Sequence, residues 1–536
     1  MSSFSANGDI VIVGAGLVGS LLGYILQKKG YSVTIFERYG DIRQIPSLGR
    51  SINLVITSRG LRACDAIGGG LREEILSLAV PVTGRVIHQQ DGSVQFQRYG
   101  KDDTECNYSI SRYELNKFLI GKAEHAGAKF HFGHGLDSKE TNFGDSDVNG
   151  GGDVGCTLAF DVTEADDTKT KRYVHCACPV FACDGGGSRA RYAMRELGIT
   201  EFTETLLGAE TGSTHSYKEI LFPVDSGLKM EGLHIWPRNS HMLMALANLD
   251  GSMTGTLYMD TTGSSTSFDA VKDQESAQKF FETYYAEALP MIGGADRAIE
   301  QMLKNPHGLL GTVRTTNWVV KGRVVLVGDA AHAIVPFFGQ GMNCGFEDVF
   351  HITRIIAEHN CRGGSLGTAA PSLPDAASPS PIAPSDAAAW AAAFSEYFTG
   401  RKTDADAIAD LALENFEEMR DRVSDRKFLL QKKVENRIEN ALGGKFRSGY
   451  AMVCYGGAGN VSYRNAFILS RVQNEILHEL IADGCAKLDA ITDDSWPAVL
   501  DALAEAVSLD EAEKMIDERL VPLQRKLGVD ITTVSH

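Results

Sequence analysis

The sequence predicts an α/β fold, α+β overall, with a C-terminal helical region. A strand, a glycine turn, a helix and a second strand follow one another in residues 9–37. The pattern of a buried strand followed by a glycine turn occurs twice more, at residues 180–195 and 323–333. Between these two segments, residues 201–260 contain several β-rich runs. We therefore expect a domain built on parallel strands that is interrupted by a second, mostly antiparallel β-sheet.

The first unit has the order of a Rossmann-like βαβ motif that binds a dinucleotide. "DIVIV" (9–13) reads as a buried strand, "SLLGYILQKKG" (20–30) as a helix and "YSVTIFE" (31–37) as the next strand. The glycines allow a tight turn, close approach of a diphosphate to backbone amides, and close helix-to-strand packing. Glu37 ends the second strand, where a carboxylate accepts hydrogen bonds from a ribose. The residues predicted to bind the cofactor here are Gly14, Ala15, Gly16, Leu17, Val18 and Gly19.

We find a single dinucleotide-binding unit of this kind. "GGAGN" (456–460) contains similar glycines but follows no convincing strand. One dinucleotide is therefore expected to bind tightly, and any second nucleotide must bind transiently without a domain of its own.

Composition excludes several classes of protein. A net charge of -17 over 536 residues argues against a nucleic-acid partner. No window approaches the roughly 18 apolar residues of a membrane span, and no leader sequence is evident, so a soluble, cytoplasmic protein is expected. The ten cysteines form no CxxC pair, and the group around His175, Cys176, Cys178 and Cys183 is expected to be free thiols rather than a metal site.

We predict the following domain organisation from these patterns. The nucleotide domain comprises residues 1–80, 106–200 and 305–360, and the β-sheet domain 81–105 and 201–304. A Pro/Ser/Ala-rich linker covers 361–387, a helical domain 388–480, and an acidic amphipathic tail 481–536. The tail is either a docked terminal helix or a peripheral membrane or partner helix.

The segment "GDAAHAIVPFFGQGMNCGFED" (328–348) is too apolar for an ordinary loop and too rich in glycine for an ordinary helix. Its glycines can bring backbone amides close to a ligand, and a helix starting near Gly341 would add its positive end. The alternative is a glycine-rich connection with two packed phenylalanines. His332 is expected to be a hydrogen-bonded core histidine rather than a general base.

Asn415 interrupts an apolar stripe on a helix predicted over about 403–423. Ile408, Leu411 and Met419 occupy the same helix face, so the amide needs a partner in the interior. From the residues alone, a helix-to-helix hydrogen bond and a ligand contact are equally favoured.

GAGLVG, CDGGGSR and GDAAH, in this order, resemble the pattern of the single-component FAD-dependent aromatic hydroxylases. Within that family the chain is most similar to members that hydroxylate kynurenine. The segments that carry this similarity are "GRSINLVITSRG" (49–60), "SRYELNKFL" (111–119), "LHIWPRN" (233–239), residues 327–348 and "DAIADLALENFEEMR" (406–420). The resemblance covers about residues 9–480 apart from insertions at 144–155 and 362–389.

The resemblance implies an enzyme with tightly bound, non-covalent FAD and with NADPH as a transient co-substrate. In the family, NADPH reduces FAD, O2 adds to the reduced flavin, and a flavin C4a-hydroperoxide transfers oxygen to the ring. The expected reaction is hydroxylation of L-kynurenine to 3-hydroxy-L-kynurenine, a step of tryptophan degradation towards NAD. The alternatives are an FAD monooxygenase of another aromatic acid and a flavin-bound protein without catalysis.

The resemblance also assigns residues around the flavin. The loop that it places against the reactive ring consists of Pro336, Phe337, Phe338, Gly339 and Gln340. The further cofactor contacts that it implies are Glu37, Arg38, Arg50, Arg112, Asp184, Gly185, Asp329, Gly341, Met342 and Asn343. No metal is implied.

For the substrate, the resemblance implies Arg85, Tyr99, Asn415 and Tyr450. A guanidinium with a phenol suits the carboxylate of an amino acid. Arg85 and Tyr99 belong to two strands around "QQDGS", and a two-residue turn would put them on opposite faces. We predict an odd-length loop or a bulge, which puts them on one face. The rival candidate for the cation is Arg98.

One feature departs from the animal members of the family, which carry an apolar C-terminal helix that anchors them to the mitochondrial outer membrane. Residues 481–536 contain no such segment. The expected alternatives are therefore a cytoplasmic protein and one peripherally attached to the cytosolic face of that membrane.

Overall fold

The structure of the chain is a computed structural model. It describes residues 2–5, 9–44, 52–100, 105–144, 155–164, 168–209, 213–320, 322–361, 382–384, 386–419, 425–456, 461–492 and 495–534. Arg50, nearly all of the predicted linker and most of the 144–155 insertion lie outside the described residues.

A six-stranded sheet forms the centre of the nucleotide-binding half. Its order is Val319–Val320, Val324–Leu326, Val180–Ala182, Asp9–Val13, Ser32–Phe36 and Lys129–His131. All neighbours are parallel except the first pair. The helices Leu17–Lys28, Arg112–His125 and Gly341–Cys361 pack on it. The strands are almost entirely apolar because helices and neighbouring elements cover the sheet, so the predicted α/β fold is confirmed.

Smaller elements surround this sheet. The small sheets are Asn53–Ile56, Asn107–Ser111 and Ala79–Val82; Ser2–Ser5, Lys169–Cys176, Cys156–Thr163 and His134–Leu136; and Phe202–Leu206 with Gly311–Thr315. The short helices are Ser58–Asp65, Leu71–Leu76, Arg189–Glu196 and Asp329–His332. Together they place the predicted cofactor segments around one end of the parallel sheet.

A seven-stranded sheet interrupts the nucleotide-binding half, as predicted. Its order is His307–Leu309, His215–Phe222, Met253–Asp260, His241–Ala247, Gly232–Arg238, Gly84–His88 and Val94–Arg98. All neighbours are antiparallel except Gly232–Arg238 with Gly84–His88. One face packs on the helices Gln274–Tyr284, Leu289–Ile292 and Ala295–Lys304, and the other contributes to a cavity.

The hairpin of Gly84–His88 and Val94–Arg98 has the predicted odd-length loop. His88 pairs with Val94, the amide of Gln89 donates to the carbonyl of Ser93, and residues 90–92 form the turn. Arg85 is consequently opposite Gln97, two residues from Tyr99. Since side chains two residues apart share a face of a strand, Arg85 and Tyr99 lie on the same face.

The C-terminal part of the described chain is helical. Its helices are Ala387–Glu417, Arg426–Leu442, Gly449–Tyr455, Tyr463–Asp489, Leu500–Glu505, Leu509–Met515 and Val521–Leu527. The first helix begins 16 residues before the predicted position 403, because "AAAWAAAFSEYF" continues it with strong helix formers. Trp390, Phe394 and Tyr397 on this extension pack in the core of the parallel sheet.

The tail packs on the other C-terminal helices. Ala512, Ile516 and Leu520 are fully buried in the same core as Leu469 and Ile476 of helix Tyr463–Asp489. That helix also spans the predicted boundary at 480. Of the two alternatives for the tail, the structure therefore has the docked one.

Within the described ranges, every helix is too short or too polar to cross a membrane. The cytoplasmic location stays a prediction.

Candidate functional site

One cavity of about 620 Å³ lies between the parallel sheet and the seven-stranded sheet. Gly16, Leu17 and Val18 line one part of it, and Arg85, Tyr99, Met419 and Tyr450 line another. The cavity thus joins the predicted cofactor segments to the predicted substrate residues.

The three glycines of the first turn meet different surroundings. A Cβ on Gly14 would overlap the carbonyl oxygen of Cys183, and Gly14 has a φ of +102°. A Cβ on Gly19 would overlap the carbonyl oxygen of Gly14. A Cβ on Gly16 would meet no atom within 4 Å, and this glycine faces the cavity at the start of helix Leu17–Lys28. Gly14 and Gly19 are therefore needed by the fold, whereas Gly16 leaves space at a helix N-terminus where a dinucleotide diphosphate fits.

Glu37 follows the second strand and fixes the glycine turn. Its carboxylate accepts hydrogen bonds from the amides of Ala15 (2.7 Å) and Tyr39 (3.0 Å). The guanidinium of Arg38 lies 4.6 Å from the ring centre of Tyr39. Neither Glu37 nor Arg38 lines the cavity, and their contacts with the cofactor stay predictions.

The remaining predicted cofactor residues divide into two groups. Arg112, Gly185, Asp329, Gly341 and Met342 line the cavity. Asp184 does not, because its carboxylate accepts from Ser188 Oγ (2.5 Å) and the amide of Ala190 (3.1 Å) at the start of helix Arg189–Glu196. Burial raises the pKa of Asp184. This aspartate shapes the turn rather than facing the cavity.

Asn343 has a similar supporting position. Its fully buried amide donates to the carbonyls of Val55 and Gly339, both at 2.8 Å, and accepts from the amide of Thr57 at 2.9 Å. It does not line the cavity. The side chain therefore holds the loop that ends at Gly339 against strand Asn53–Ile56.

The apolar loop that precedes helix Gly341–Cys361 faces the cavity with Pro336, Phe337, Phe338 and Gly339. Gly339 ends a short 3-10 turn with a φ of +65°, a conformation that favours glycine. Gln340 points away from the cavity, is fully buried, and accepts a hydrogen bond from Tyr463 Oη at 2.9 Å. Of the five residues predicted beside the reacting groups, the first four therefore face the cavity and Gln340 does not.

The predicted substrate residues Arg85, Tyr99 and Tyr450 meet at one end of the cavity. The guanidinium carbon of Arg85 lies 5.7 Å from the ring centre of Tyr99 and 5.4 Å from that of Tyr450, and the two rings stack at 5.0 Å. Arg85 is 9% exposed, and its Nε has no hydrogen-bond partner among the residues that the structure describes. A buried donor without a partner is costly unless a ligand satisfies it.

Arg85 remains a cation in this interior position. Burial opposes the charge, but Tyr99, Tyr450 and Glu418 outweigh this effect and raise the pKa of the guanidinium. A carboxylate oxygen of Glu418 lies 3.7 Å from the nearest guanidinium nitrogen. This end of the cavity therefore offers a positive charge to an anionic ligand group.

The hydrogen bond of Asn415 goes to the apolar loop rather than to another long helix, and its contact with the substrate stays a prediction. Its amide nitrogen donates to the carbonyl oxygen of Phe337 at 2.8 Å, and the side chain is 5% exposed and does not line the cavity. The stripe of Ile408, Leu411 and Met419 is buried as predicted. Asn415 therefore ties the long helix to the backbone of the apolar loop.

Sequence reasoning missed residues that contribute to this site. Asn107 lines the cavity and donates to Tyr450 Oη at 2.8 Å, and Tyr258 packs on Phe337 with ring centres 5.1 Å apart. Glu418 lies in the charged run "ENFEEMR", which is typical of a solvated helix face. No local pattern distinguishes these residues, because their neighbours come from distant parts of the chain.

Comparison with known proteins agrees with this architecture. A family profile described as an FAD binding domain matches residues 7–379. Kynurenine 3-monooxygenase of Myxococcus xanthus is 34% identical over 522 residues, covering 96% of each chain, and that of Flavobacterium johnsoniae is 35% identical over 486 residues, covering 90% and 94%. The crystal structure of pqsL, a probable FAD-dependent monooxygenase from Pseudomonas aeruginosa, has a TM-score of 0.54 at 16% identity and covers 78% of this chain and 98% of its own.

The fold is that of the FAD-dependent aromatic hydroxylases. The family profile and the sequence relatives show that the chain is an enzyme of this class, with FAD as its cofactor. Sequence identity above 30% to these two relatives, over nearly the whole chain, narrows the class to one family. The chain belongs to the kynurenine 3-monooxygenase family.

Proposed function

We propose that this enzyme hydroxylates L-kynurenine to 3-hydroxy-L-kynurenine with NADPH and O2. The observation that carries the proposal is Arg85, a buried cation with an unsatisfied Nε in the same cavity as the cofactor turn. A carboxylate is the ligand group that such a guanidinium binds best. An aromatic amino acid bound there by its carboxylate has its ring in the rest of the cavity.

The surroundings of Arg85 support an amino acid rather than a simple aromatic acid. Tyr99 and Tyr450 flank the guanidinium and offer phenolic donors for the second carboxylate oxygen. Glu418, whose carboxylate lies 3.7 Å from the same guanidinium but does not line the cavity, is proposed as the acceptor for the ammonium group. A cation and an anion so close together complement the two charges of a zwitterion.

The apolar side chains that line the cavity beside the loop 336–338 are suited to a reaction that must exclude water. Pro336, Phe337 and Phe338 line the cavity opposite Leu233, Met244 and Tyr258 of the seven-stranded sheet. Bound FAD, once reduced, supplies the reactivity towards O2 that hydroxylation needs. The role of these apolar side chains is to orient the aromatic ring and to keep the reaction site dry.

NADPH is proposed as a visiting co-substrate. The described chain contains a single βαβ unit with the dinucleotide turn, and the cavity beside that turn is assigned to FAD. The reductant therefore binds without a Rossmann unit of its own and leaves after hydride transfer. Tight binding of one nucleotide and transient binding of the other follow from this difference.

The test is NADPH consumption by the purified holoenzyme, with and without L-kynurenine. Product is quantified by chromatography and hydrogen peroxide by a peroxidase assay. We expect kynurenine to accelerate NADPH oxidation and 3-hydroxykynurenine to form in proportion to NADPH consumed, with little peroxide. Oxidation that stays slow, or that yields peroxide alone, contradicts the substrate assignment.

A panel of aromatic acids separates the proposal from a monooxygenase with another substrate. Kynurenine lacking its α-amino group tests the part played by the amino acid head, because it retains the carboxylate for Arg85 and offers no ammonium to Glu418. We expect its kcat/KM to fall well below that of L-kynurenine. A panel member used better than L-kynurenine would replace it as the substrate.

A further inference from the structure

Behind the apolar loop lies a group of buried charged side chains that does not line the cavity. Its cations are Arg59, Arg401 and His332, and its anions are Glu347, Asp348 and Asp404, all less than 9% exposed. Glu347 bridges Arg59 (2.7 Å) and Arg401 (2.8 Å), and Arg401 Nε donates to Asp348 at 2.8 Å. The group therefore forms a continuous buried ion chain.

Within this ion chain, His332 is the residue nearest in sequence to the predicted cofactor turn. Its Nε2 lies 2.5 Å from Asp348 Oδ2, and the same oxygen accepts from the backbone amide of Gly328 at 3.0 Å. Gly328 directly precedes Asp329, which lines the cavity where FAD is expected. One carboxylate oxygen thus joins His332 to the turn that faces the cofactor.

With His332 as an imidazolium, three cations face three anions in this buried ion chain. The neighbours from the packed elements are neutral or peripheral: burial raises the pKa of the Cys344 thiol and of Tyr397, burial also lowers the pKa of His351 to about 3, and Arg62 is partly exposed. Burial opposes a charge on His332 itself, but Asp348 and Cys344 raise its pKa well above the usual value. An uncompensated buried anion would be strongly unfavourable.

His332, Cys344 and Asp348 also have ligand atoms within 4.8 Å of one another. Both oxygens of Asp348 already accept hydrogen bonds, from Gly328, His332 and Arg401. A metal ion would displace these donors, so the group is explained by its internal ion pairs.

We propose that His332 is a positioning residue for the cofactor turn. As the charged partner of Asp348, it holds this carboxylate where it binds the amide of Gly328, and it thereby fixes the Gly328–Asp329 turn for FAD. The inference rests on FAD as the cofactor and not on the identity of the substrate. A failure to hydroxylate kynurenine would therefore leave it standing.

The first test is His332→Gln, which keeps a hydrogen-bond donor and removes the charge. Apoprotein is titrated with FAD, and Tm is measured with and without saturating FAD. We expect the Kd for FAD to rise about tenfold or more, with a smaller FAD-induced increase in Tm. Cys344→Ala, which removes the other polar neighbour of His332, is the control and should leave the Kd within about twofold.

A purely structural histidine would give a different result. It would lower the Tm of apoprotein and holoprotein equally and leave the Kd for FAD unchanged, and this outcome would overturn the inference.

A double-mutant cycle tests whether His332 acts through Asp348. We expect His332→Gln to have little further effect on the Kd for FAD once Asp348→Asn is present. Independent, additive effects of the two substitutions would mean that His332 acts by another route and would refute the mechanism.

Discussion

At the predicted cofactor end of the cavity, three glycines, Gly16, Gly185 and Gly341, expose backbone to the ligand space, and two helices begin there. At the substrate end, the space is bounded by the side chains of Arg85, Tyr99 and Tyr450, which come from a hairpin and a C-terminal helix. The cofactor end depends on chain conformation, whereas the substrate end depends on a charge and on rings brought together from distant segments. Substitutions should therefore affect FAD binding at one end and substrate recognition at the other.

Asn415 and Asn343 both hold the apolar loop of residues 336–339, which borders both parts of the cavity. Asn415 holds the carbonyl of Phe337 from the long helix, and Asn343 holds the carbonyl of Gly339 from the helix that follows the loop. The apolar loop, which lies between the predicted cofactor segments and the predicted substrate residues, is thus held from both sides by buried amides. Side chains without contact to a ligand can consequently change the chemistry.

The largest effect is expected from Arg85→Ala. It removes the buried cation of the substrate end, which costs about 2–5 kcal/mol of binding, or roughly 30-fold or more in kcat/KM for kynurenine. FAD content should not change, because Arg85 belongs to none of the predicted cofactor segments and lies with Tyr99 and Tyr450 in another part of the cavity. Steady-state kinetics and flavin absorbance measure the two quantities.

Arg98→Ala is the matched control for Arg85→Ala. Arg98 is on the same hairpin, is exposed, and does not line the cavity. We expect its kcat/KM within roughly twofold of the wild type. If Arg98→Ala lowered kcat/KM strongly and Arg85→Ala did not, Arg98 would be the cation that binds the substrate carboxylate.

Gly16→Ala and Gly19→Ala should distinguish a glycine that leaves room for FAD from a glycine that the protein needs for its own packing. The Cβ at position 16 enters empty space, so the apoprotein should keep its Tm while FAD binding weakens about tenfold. The Cβ at position 19 overlaps the carbonyl of Gly14, so the apoprotein itself should lose about 1–3 kcal/mol of stability. Thermal unfolding of the two apoproteins, followed by FAD titration, distinguishes them. Equal destabilisation would contradict the proposed role of Gly16.

Asn415→Leu should affect the shared loop. The substitution leaves the buried carbonyl of Phe337 without its donor, at a cost of about 1–3 kcal/mol. We expect kcat/KM to fall about tenfold and more peroxide to form per NADPH consumed, because a displaced loop admits water. Glu414→Gln, an exposed neighbour that pairs with Arg471, should change neither quantity. Unaltered peroxide in Asn415→Leu would mean that the loop does not control coupling.

The smallest effect is expected from Tyr450→Phe. It removes the hydroxyl that accepts from Asn107 and keeps the ring beside Arg85, so the loss is about 0.5–1.5 kcal/mol. KM for kynurenine should rise roughly twofold to tenfold while kcat and FAD content stay the same. Tyr39→Phe, at a 62% exposed tyrosine, serves as the control. A fall in kcat without a change in KM would place Tyr450 outside substrate binding.

The sequence by itself determined the features that depend on neighbouring residues. The βαβ unit with Gly14, Gly16 and Gly19, the strands that follow it and the helix near Gly341 all arise from local propensity, periodicity and turn chemistry. The odd-length hairpin loop was predicted from the family resemblance, because the local Asp-Gly pair alone suggests a two-residue turn. The helical domain was predicted to begin at residue 388, next to the observed start at Ala387, but the helix that carries Asn415 was predicted to begin only at about 403.

Only the tertiary structure decided which polar side chains face the cavity and which support it. Asp184, Gln340, Asn343 and Asn415 were all predicted beside a ligand, yet each is turned away to satisfy a buried backbone group or a neighbouring side chain. The requirement that buried polar groups be paired can be stated from sequence, but the partner is hundreds of residues away for some of them. Chain folding sets that distance, and it also brings Arg85, Tyr99 and Tyr450 together around one charge.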